Sequence, residues 1–249
     1  MLRIENVNTH YGPIQALHDV SVDVRQGEIV TLIGANGAGK TTCLQSLLGL
    51  IECEGSIDVL GFDPRKQRQQ MLEEVTYISD VAVLPKWLSV AQALAYMQGV
   101  HSRFDIEKAQ AFLAKTNIKP NAKVKALSKG MVTQLHLALV LAIDAKVLVL
   151  DEPTLGLDIL TRRQFYTHLL EEFYTEEKCI IVTTHQIEEI EHILTDVAFI
   201  QNGNLVLADS AEEIKERFKL LSVTPEKLSQ AESFNPLYAN KMMGLTTML

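Results

Sequence analysis

The chain has 249 residues, 47% of them apolar and 22% charged, with a formal net charge of −8; this suits one globular domain, or a core with an inserted lobe. The acidic balance argues against a DNA- or RNA-binding role, because phosphate backbones are bound by basic faces, and no nucleic acid is expected as a partner. The N-terminal MLRIENVNTH lacks a signal-peptide run, and residues 135–143, the most apolar stretch, are broken by His136 and fall far short of the ~20 residues a membrane span needs.

In chain order, residues 2–7 and 20–24 alternate apolar and polar side chains and read as strands, the first at an edge. Residues 28–33 (EIVTLI) form a β-branched run leading into glycines, a buried strand. The next nine residues, Gly34-Ala35-Asn36-Gly37-Ala38-Gly39-Lys40-Thr41-Thr42, match G-x-x-x-x-G-K-[ST]. Such a loop wraps phosphate oxygens in backbone N–H groups where a helix begins, its glycines letting the chain approach closely. Lys40 adds a point charge for the β- and γ-phosphates, and Thr41 a hydroxyl for Mg²⁺. Helical spacing over 41–50 completes the strand–loop–helix context. Cys43, Cys53 and Cys179 lack metal-ligand spacing and read as reduced thiols.

Residues 75–78 suggest another strand, and the pattern from 89 to 117 is helical, in pieces at 89–100 and 106–116. A turn at 119–123 (KPNAK) precedes a helix at 131–143 that is apolar on most faces and therefore buried. Buried strands at 147–150 and 180–183 flank a helix at 160–176, and Asn202-Gly203 between 197–200 and 205–207 signals a hairpin. The first of these strands runs into Asp151-Glu152, which puts two carboxylates at the carboxyl edge of the sheet, where ligands of such folds bind. There Asp151 would hold Mg²⁺ through water and Glu152 would polarise the attacking water. Two solvated acids are the plain alternative, which the phosphate loop outweighs. Strands and helices alternate at both ends of the chain, so a largely parallel sheet covered by helices is expected. Core segments 1–83 and 143–220 flank a helical lobe at 84–142, and 221–249, richer in Ser, Thr, Asn and Pro, reads as a loosely attached tail.

These residues resemble the ATP-binding subunits of ABC transporters over about positions 2–220. Leu127-Ser128-Lys129-Gly130-Met131 is similar to that family's signature, commonly Leu-Ser-Gly-Gly-Gln. The run Glu152-Pro153-Thr154-Leu155-Gly156-Leu157-Asp158 resembles its D-loop, Thr184-His185 its switch histidine, and Tyr11 the aromatic that stacks on adenine. The resemblance implies an α/β fold: a P-loop NTPase core of mostly parallel sheet flanked by helices, with an antiparallel β subdomain and an inserted helical lobe. It implies ATP and Mg²⁺ as cofactors, catalytic roles for Glu152, His185 and Lys40, and ATP contacts from Tyr11 and from Gly34, Asn36, Gly37, Ala38, Gly39, Lys40, Thr41 and Thr42. It also implies a head-to-tail dimer with an identical or related subunit. In that dimer Ser128, Gly130, Met131 and Asp158 of one subunit close over ATP held by the other. A separately encoded permease would hold the pair at the cytoplasmic face of the cell membrane.

Plainer roles stand beside these. Ser128 is placed to cap a helix, His185 to be an ordinary hydrogen-bonded histidine, and Tyr11 and Trp87 to pack locally. Asp80 stands where the family usually has Gln; as a better ligand for a hard cation it keeps a metal contact, beside Thr41 and Asp151. Lys129 could help neutralise phosphate charge, whereas Met131 cannot hydrogen-bond a ribose. The stretch 80–88 (DVAVLPKWL), with Leu-Ser-Lys-Gly-Met, looks most like bacterial subunits paired with ABC-2-type export permeases. Trp87 sits where that family docks the permease's coupling segments. Two alternatives remain: a soluble ABC ATPase serving a non-transport complex, and a nucleotide-binding regulator that scarcely hydrolyses.

Overall fold

The computed structural model describes residues 1–79, 84–242 and 245–249. Contacts divide the chain into units of residues 1–208 and 209–249. The first unit opens with β1 (Leu2–Tyr11), β2 (Ile14–Val24), β3 (Ile29–Ile33), α1 (Lys40–Leu47), β4 (Glu54–Val59), α2 (Pro64–Leu72) and β5 (Val75–Ile78). A helical stretch follows, with α3 (Val90–Val100), α4 (Ile106–Ala114) and α5 (Lys129–Leu141). The unit then returns to β6 (Val147–Asp151), α6 (Ile159–Glu172), β7 (Cys179–Thr184), β8 (Asp196–Gln201) and the start of β9 (Asn204–Ser210).

Two sheets build this unit: a six-stranded one in the order β5-β6-β7-β3-β8-β9 and an antiparallel one in the order β2-β1-β4. From β5 to β8 the larger sheet is parallel throughout. Its middle strands are buried on both faces, so they carry apolar runs rather than alternation. The two-residue period still sorts them. Leu148, Leu150, Ile180 and Val182 face the cluster made with α3 to α6, whereas Val147, Val149 and Ile181 face α1 and the antiparallel sheet. Each such side chain removed from water contributes about 1.5–3 kcal/mol. The helical stretch therefore shares one core with the sheet rather than forming its own.

Local signals set the helix starts. Ser89 and Gln92 exchange hydrogen bonds at the head of α3, a reciprocal cap. Asp63 with Pro64 opens α2, and Asp105 opens α4. Two elements that the sequence reading passed over, β4 (EGSIDV) and α2 (PRKQRQQML), bury only two residues each, so neither shows a long apolar period. Burial pushes the thiols of Cys43 and Cys179 up to about 12, which keeps both inert.

The second unit starts ahead of the tail expected from 221. It starts at Asp209 and holds α7 (Ala211–Arg217), β10 (Leu221–Val223), α8 (Leu228–Glu232), β11 (Ala239–Met242) and β12 (Leu245–Met248). The three strands form an antiparallel sheet in the order β10-β12-β11, with Ala231, Thr246 and Met248 buried. Its polar composition hid strands of three or four residues. Trp87 is 69% exposed, which removes the local-core alternative for it.

Candidate functional site

Strand register assembles the site. Asp151 lies opposite Thr183 in the β6–β7 pairing, and Thr184 opposite Ile33 in the β7–β3 pairing. Three neighbouring strands therefore end at one level, and their next residues, Glu152, His185 and Gly34, emerge together at the carboxyl edge of the sheet. Gly34 lies so close to the Ile200 carbonyl that a Cβ would collide with it. Gly39 takes φ +110 at the start of α1, a left-handed conformation that suits glycine, and supplies no capping side chain. The first-turn amides of α1, which have no intrahelical acceptor, are thus left for a ligand.

Lys40 is 6% exposed. Its ammonium donates to the carbonyls of Gly34 at 2.7 Å and Ala35 at 3.4 Å and lies 3.1 Å from Glu152 Oε1. That oxygen makes no hydrogen bond among the described residues, so the lysine charge is its compensation. The other oxygen, Oε2, accepts from His185 Nδ1 at 2.8 Å. Glu152 itself has φ +44, a strained backbone for a non-glycine residue. Thr183 holds it there, its hydroxyl accepting from the Glu152 N–H at 2.9 Å. Beneath this group Asp151, 1% exposed, accepts from the hydroxyls of Thr183 at 2.6 Å and Thr41 at 3.1 Å.

A cleft of about 630 Å³ opens above these groups. Residues 35–42, Glu152 and His185 line it, so most of the expected phosphate-side residues meet in one place. The rest of its lining was not anticipated there: Ile14, Gln15 and Ala16 at the start of β2, Leu155, and the β8–β9 turn at Asn202 and Gly203. That turn is tied in by backbone bonds, Gly203 N–H to the Ala38 carbonyl and His18 N–H to the Gly203 carbonyl, both at 2.9 Å. A hairpin signal was legible there, but contact with the phosphate loop was not. Tyr11 does not line the cleft; it is 47% exposed and donates to Gln45 Oε1 at 3.3 Å.

Of the signature residues, Ser128, Gly130 and Met131 do not line this cleft, whereas Lys129 shares a smaller pocket with Glu152 and Leu155. Ser128 is exposed and caps α5, accepting from the Met131 N–H at 3.3 Å. Met131 packs on the apolar core that the lobe shares with the sheet. The Lys129 ammonium lies over Gly156, in the space a Cβ there would need, and so rests on its own chain's D-loop. Asp158 caps α6, and the Thr161 N–H and hydroxyl hold its carboxyl below the usual range. Asp80 lies outside the described residues.

No cluster of three or more His, Cys, Asp or Glu able to hold a metal occurs among the described residues. Magnesium at nucleotide sites needs less, one or two carboxylates together with phosphate oxygens, and the hard-oxygen pair Thr41–Asp151 fits that demand. No helix among the described residues is long and apolar enough to cross a membrane.

Comparison with known proteins adds four findings. The family model described as ABC transporter matches residues 17–155. The lantibiotic transport ATP-binding protein SrtF of Streptococcus pyogenes is 32% identical over 225 residues, 88% of this chain and 96% of that protein. Among solved structures, an ATP-binding subunit of an ABC transporter superposes with a TM-score of 0.78 at 24% identity, covering 88% of this chain and 93% of the other. The dimeric structure of a bacterial ABC transporter cassette follows at 0.72 and 21%, covering 84% and 98%. At these identities the structural likeness speaks for the fold alone.

Proposed function

Because the chain belongs to the ABC transporter family, we propose that its cleft is one half of an ATP site completed by a second subunit. The chain is the ATP-binding and ATP-hydrolysing subunit that drives transport through a separate permease. We place the working unit as a head-to-tail pair of this chain or of this chain with a related one. It would lie at the cytoplasmic face of the membrane, with Trp87 toward the permease and export as the direction of transport.

The observation that carries this reading is the make-up of the cleft. The cleft gathers the phosphate loop, Lys40, Glu152 and His185 but none of Ser128, Gly130, Met131 or Asp158. A serine and amide groups at the head of α5 suit a γ-phosphate, and a second copy can bring them to it.

In the chemistry we assign, the amides of residues 36–42 and the Lys40 ammonium bind the β- and γ-phosphates. Arrival of the γ-phosphate gives Lys40 a stronger anion than Glu152, so the 3.1 Å pair opens and the carboxylate is released. Glu152 then accepts a hydrogen bond from water and aligns it for in-line attack on the γ-phosphorus. Lys40 and the Ser128–Gly130 turn of the second subunit stabilise the negative charge that spreads over the phosphoryl oxygens. His185 orients the phosphate from the other side. Thr41 and Asp151, with Asp80 as a further ligand in this assignment, would hold Mg²⁺, which would offset phosphate charge. Cleavage removes the γ-phosphate contacts across the pair, which then separates, and the segment containing Asp80 carries the motion, with the helical lobe, to the permease.

Glu152→Gln tests the assignment. Hydrolysis should fall at least ~100-fold, since a positioned base contributes roughly that much, while ATP stays bound and size-exclusion chromatography shows a trapped dimer. Full-rate hydrolysis in this variant would remove Glu152 from the chemistry.

A further inference from the structure

The His185 ring is held from two sides. On one, Nδ1 meets the Glu152 carboxylate at 2.8 Å; on the other, Nε2 lies 3.3 Å from Gln186 Nε2. A guanidinium only donates, and Arg162 Nη1 donates to Gln186 Oε1 and to Glu189 Oε1. The glutamine oxygen is thereby committed to Arg162, and its NH₂ end faces the histidine. A ring nitrogen facing an NH₂ donor must accept, so the single proton of a neutral ring lies on Nδ1. Glu152, as an acceptor, demands the same tautomer.

Arg162 does more than orient one amide. Its Nε donates to the Leu157 carbonyl at 2.7 Å, one residue before Asp158. Its partner Glu189 accepts from the Thr154 hydroxyl at 2.8 Å. One half-buried cation thus joins the D-loop to the residue after the switch histidine. The Gln186 N–H, bonded to the Thr184 hydroxyl at 3.0 Å, fixes the backbone between them.

We propose that Arg162 and Gln186 are positioning residues that hold His185 as the Nδ1–H tautomer before nucleotide binds, so that movement of the D-loop controls when the ring can donate to a phosphate. In the held state Nε2 presents a lone pair, which repels a phosphate oxygen. Donation requires Gln186 to withdraw and a proton to reach Nε2. Displacement of the Leu157 carbonyl when a second subunit meets Asp158 pulls on Arg162, and through it on Gln186. This last consequence rests on the divided-site reading above; the tautomer assignment does not.

The test is ¹⁵N NMR of the histidine ring in the full chain without nucleotide, the signal assigned by its loss in His185→Ala. Wild type should carry the proton on Nδ1. Because Glu152 alone favours that form, the decisive background is Glu152→Gln, whose amide can accept or donate. There Nδ1–H should persist, and adding Gln186→Leu or Arg162→Met should shift the population toward Nε2–H, with Arg162→Lys retaining Nδ1–H. Should Arg162→Met fail to fold, Gln186→Leu carries the comparison. Loss of Nδ1–H in Glu152→Gln alone, or its persistence in both double variants, would overturn the proposal. Adding a non-hydrolysable ATP analogue to wild type should then bring a proton to Nε2. If it does not, while the nucleotide-free results stand, His185 is not a phosphate ligand and only that part of the site reading fails.

Discussion

The phosphate-loop corner and the signature corner carry comparable chemistry and are built in opposite ways. In the first, side chains satisfy one another around the buried Lys40 and Asp151: Lys40 with Glu152, Glu152 with His185, Asp151 with Thr41 and Thr183. In the second, Ser128 and Asp158 are exposed, and their side chains cap the helices they begin. On the divided-site proposal, groups that meet a ligand within their own chain are wired in advance and relinquish those bonds when it arrives. Groups proposed to meet another subunit's ligand stand at the surface, and capping keeps them folded meanwhile.

Substitutions can separate the two. Lys40→Met should have the largest effect, weakening ATP binding about 100-fold, the equivalent of losing one charge-assisted contact worth ~2.7 kcal/mol. Titration with a fluorescent ATP analogue measures it. Ser128→Asp should leave ATP binding by the single chain intact. Aspartate caps helices as well as serine does, but it would set a negative charge against a phosphate and lower hydrolysis by roughly 100-fold. If capping were the serine's whole role, this variant would hydrolyse ATP normally.

A further effect is on stability, at His136, which lines a pocket with Lys129 and Glu152. Burial pushes His136 down to about 4, and its Nε2 finds no partner among the described residues. The folded chain thus binds this proton more weakly than the unfolded chain does. The native state is unpenalised above the unfolded value of about 6.5 and loses stability as pH falls from there toward 4, by ~3 kcal/mol at most. Denaturant melts of His136→Leu should flatten the wild-type slope over that window.

Much of this architecture is legible in the residues. The β-branched runs at β3, β6 and β7 announce themselves because parallel strands buried on both faces need continuous apolar side chains. The phosphate loop does so because only glycine suits Gly39. What escapes the sequence is carried by tertiary contact. The Ile14–Ala16 wall and the Asn202-Gly203 turn meet residues 35–42 only through folding, and Arg162 meets Gln186 across 24 positions. The strands of the second unit escape for another reason, being three or four residues long and polar.

The divided site can be decided by mixing Lys40→Met with Ser128→Asp, each alone inactive. If the γ-phosphate is enclosed by two copies, a mixed pair holds one site with an intact Lys40 and an intact Ser128, and ATP hydrolysis returns on mixing. If each chain encloses its own ATP, every chain in the mixture is defective, and hydrolysis stays at the level of the separate variants.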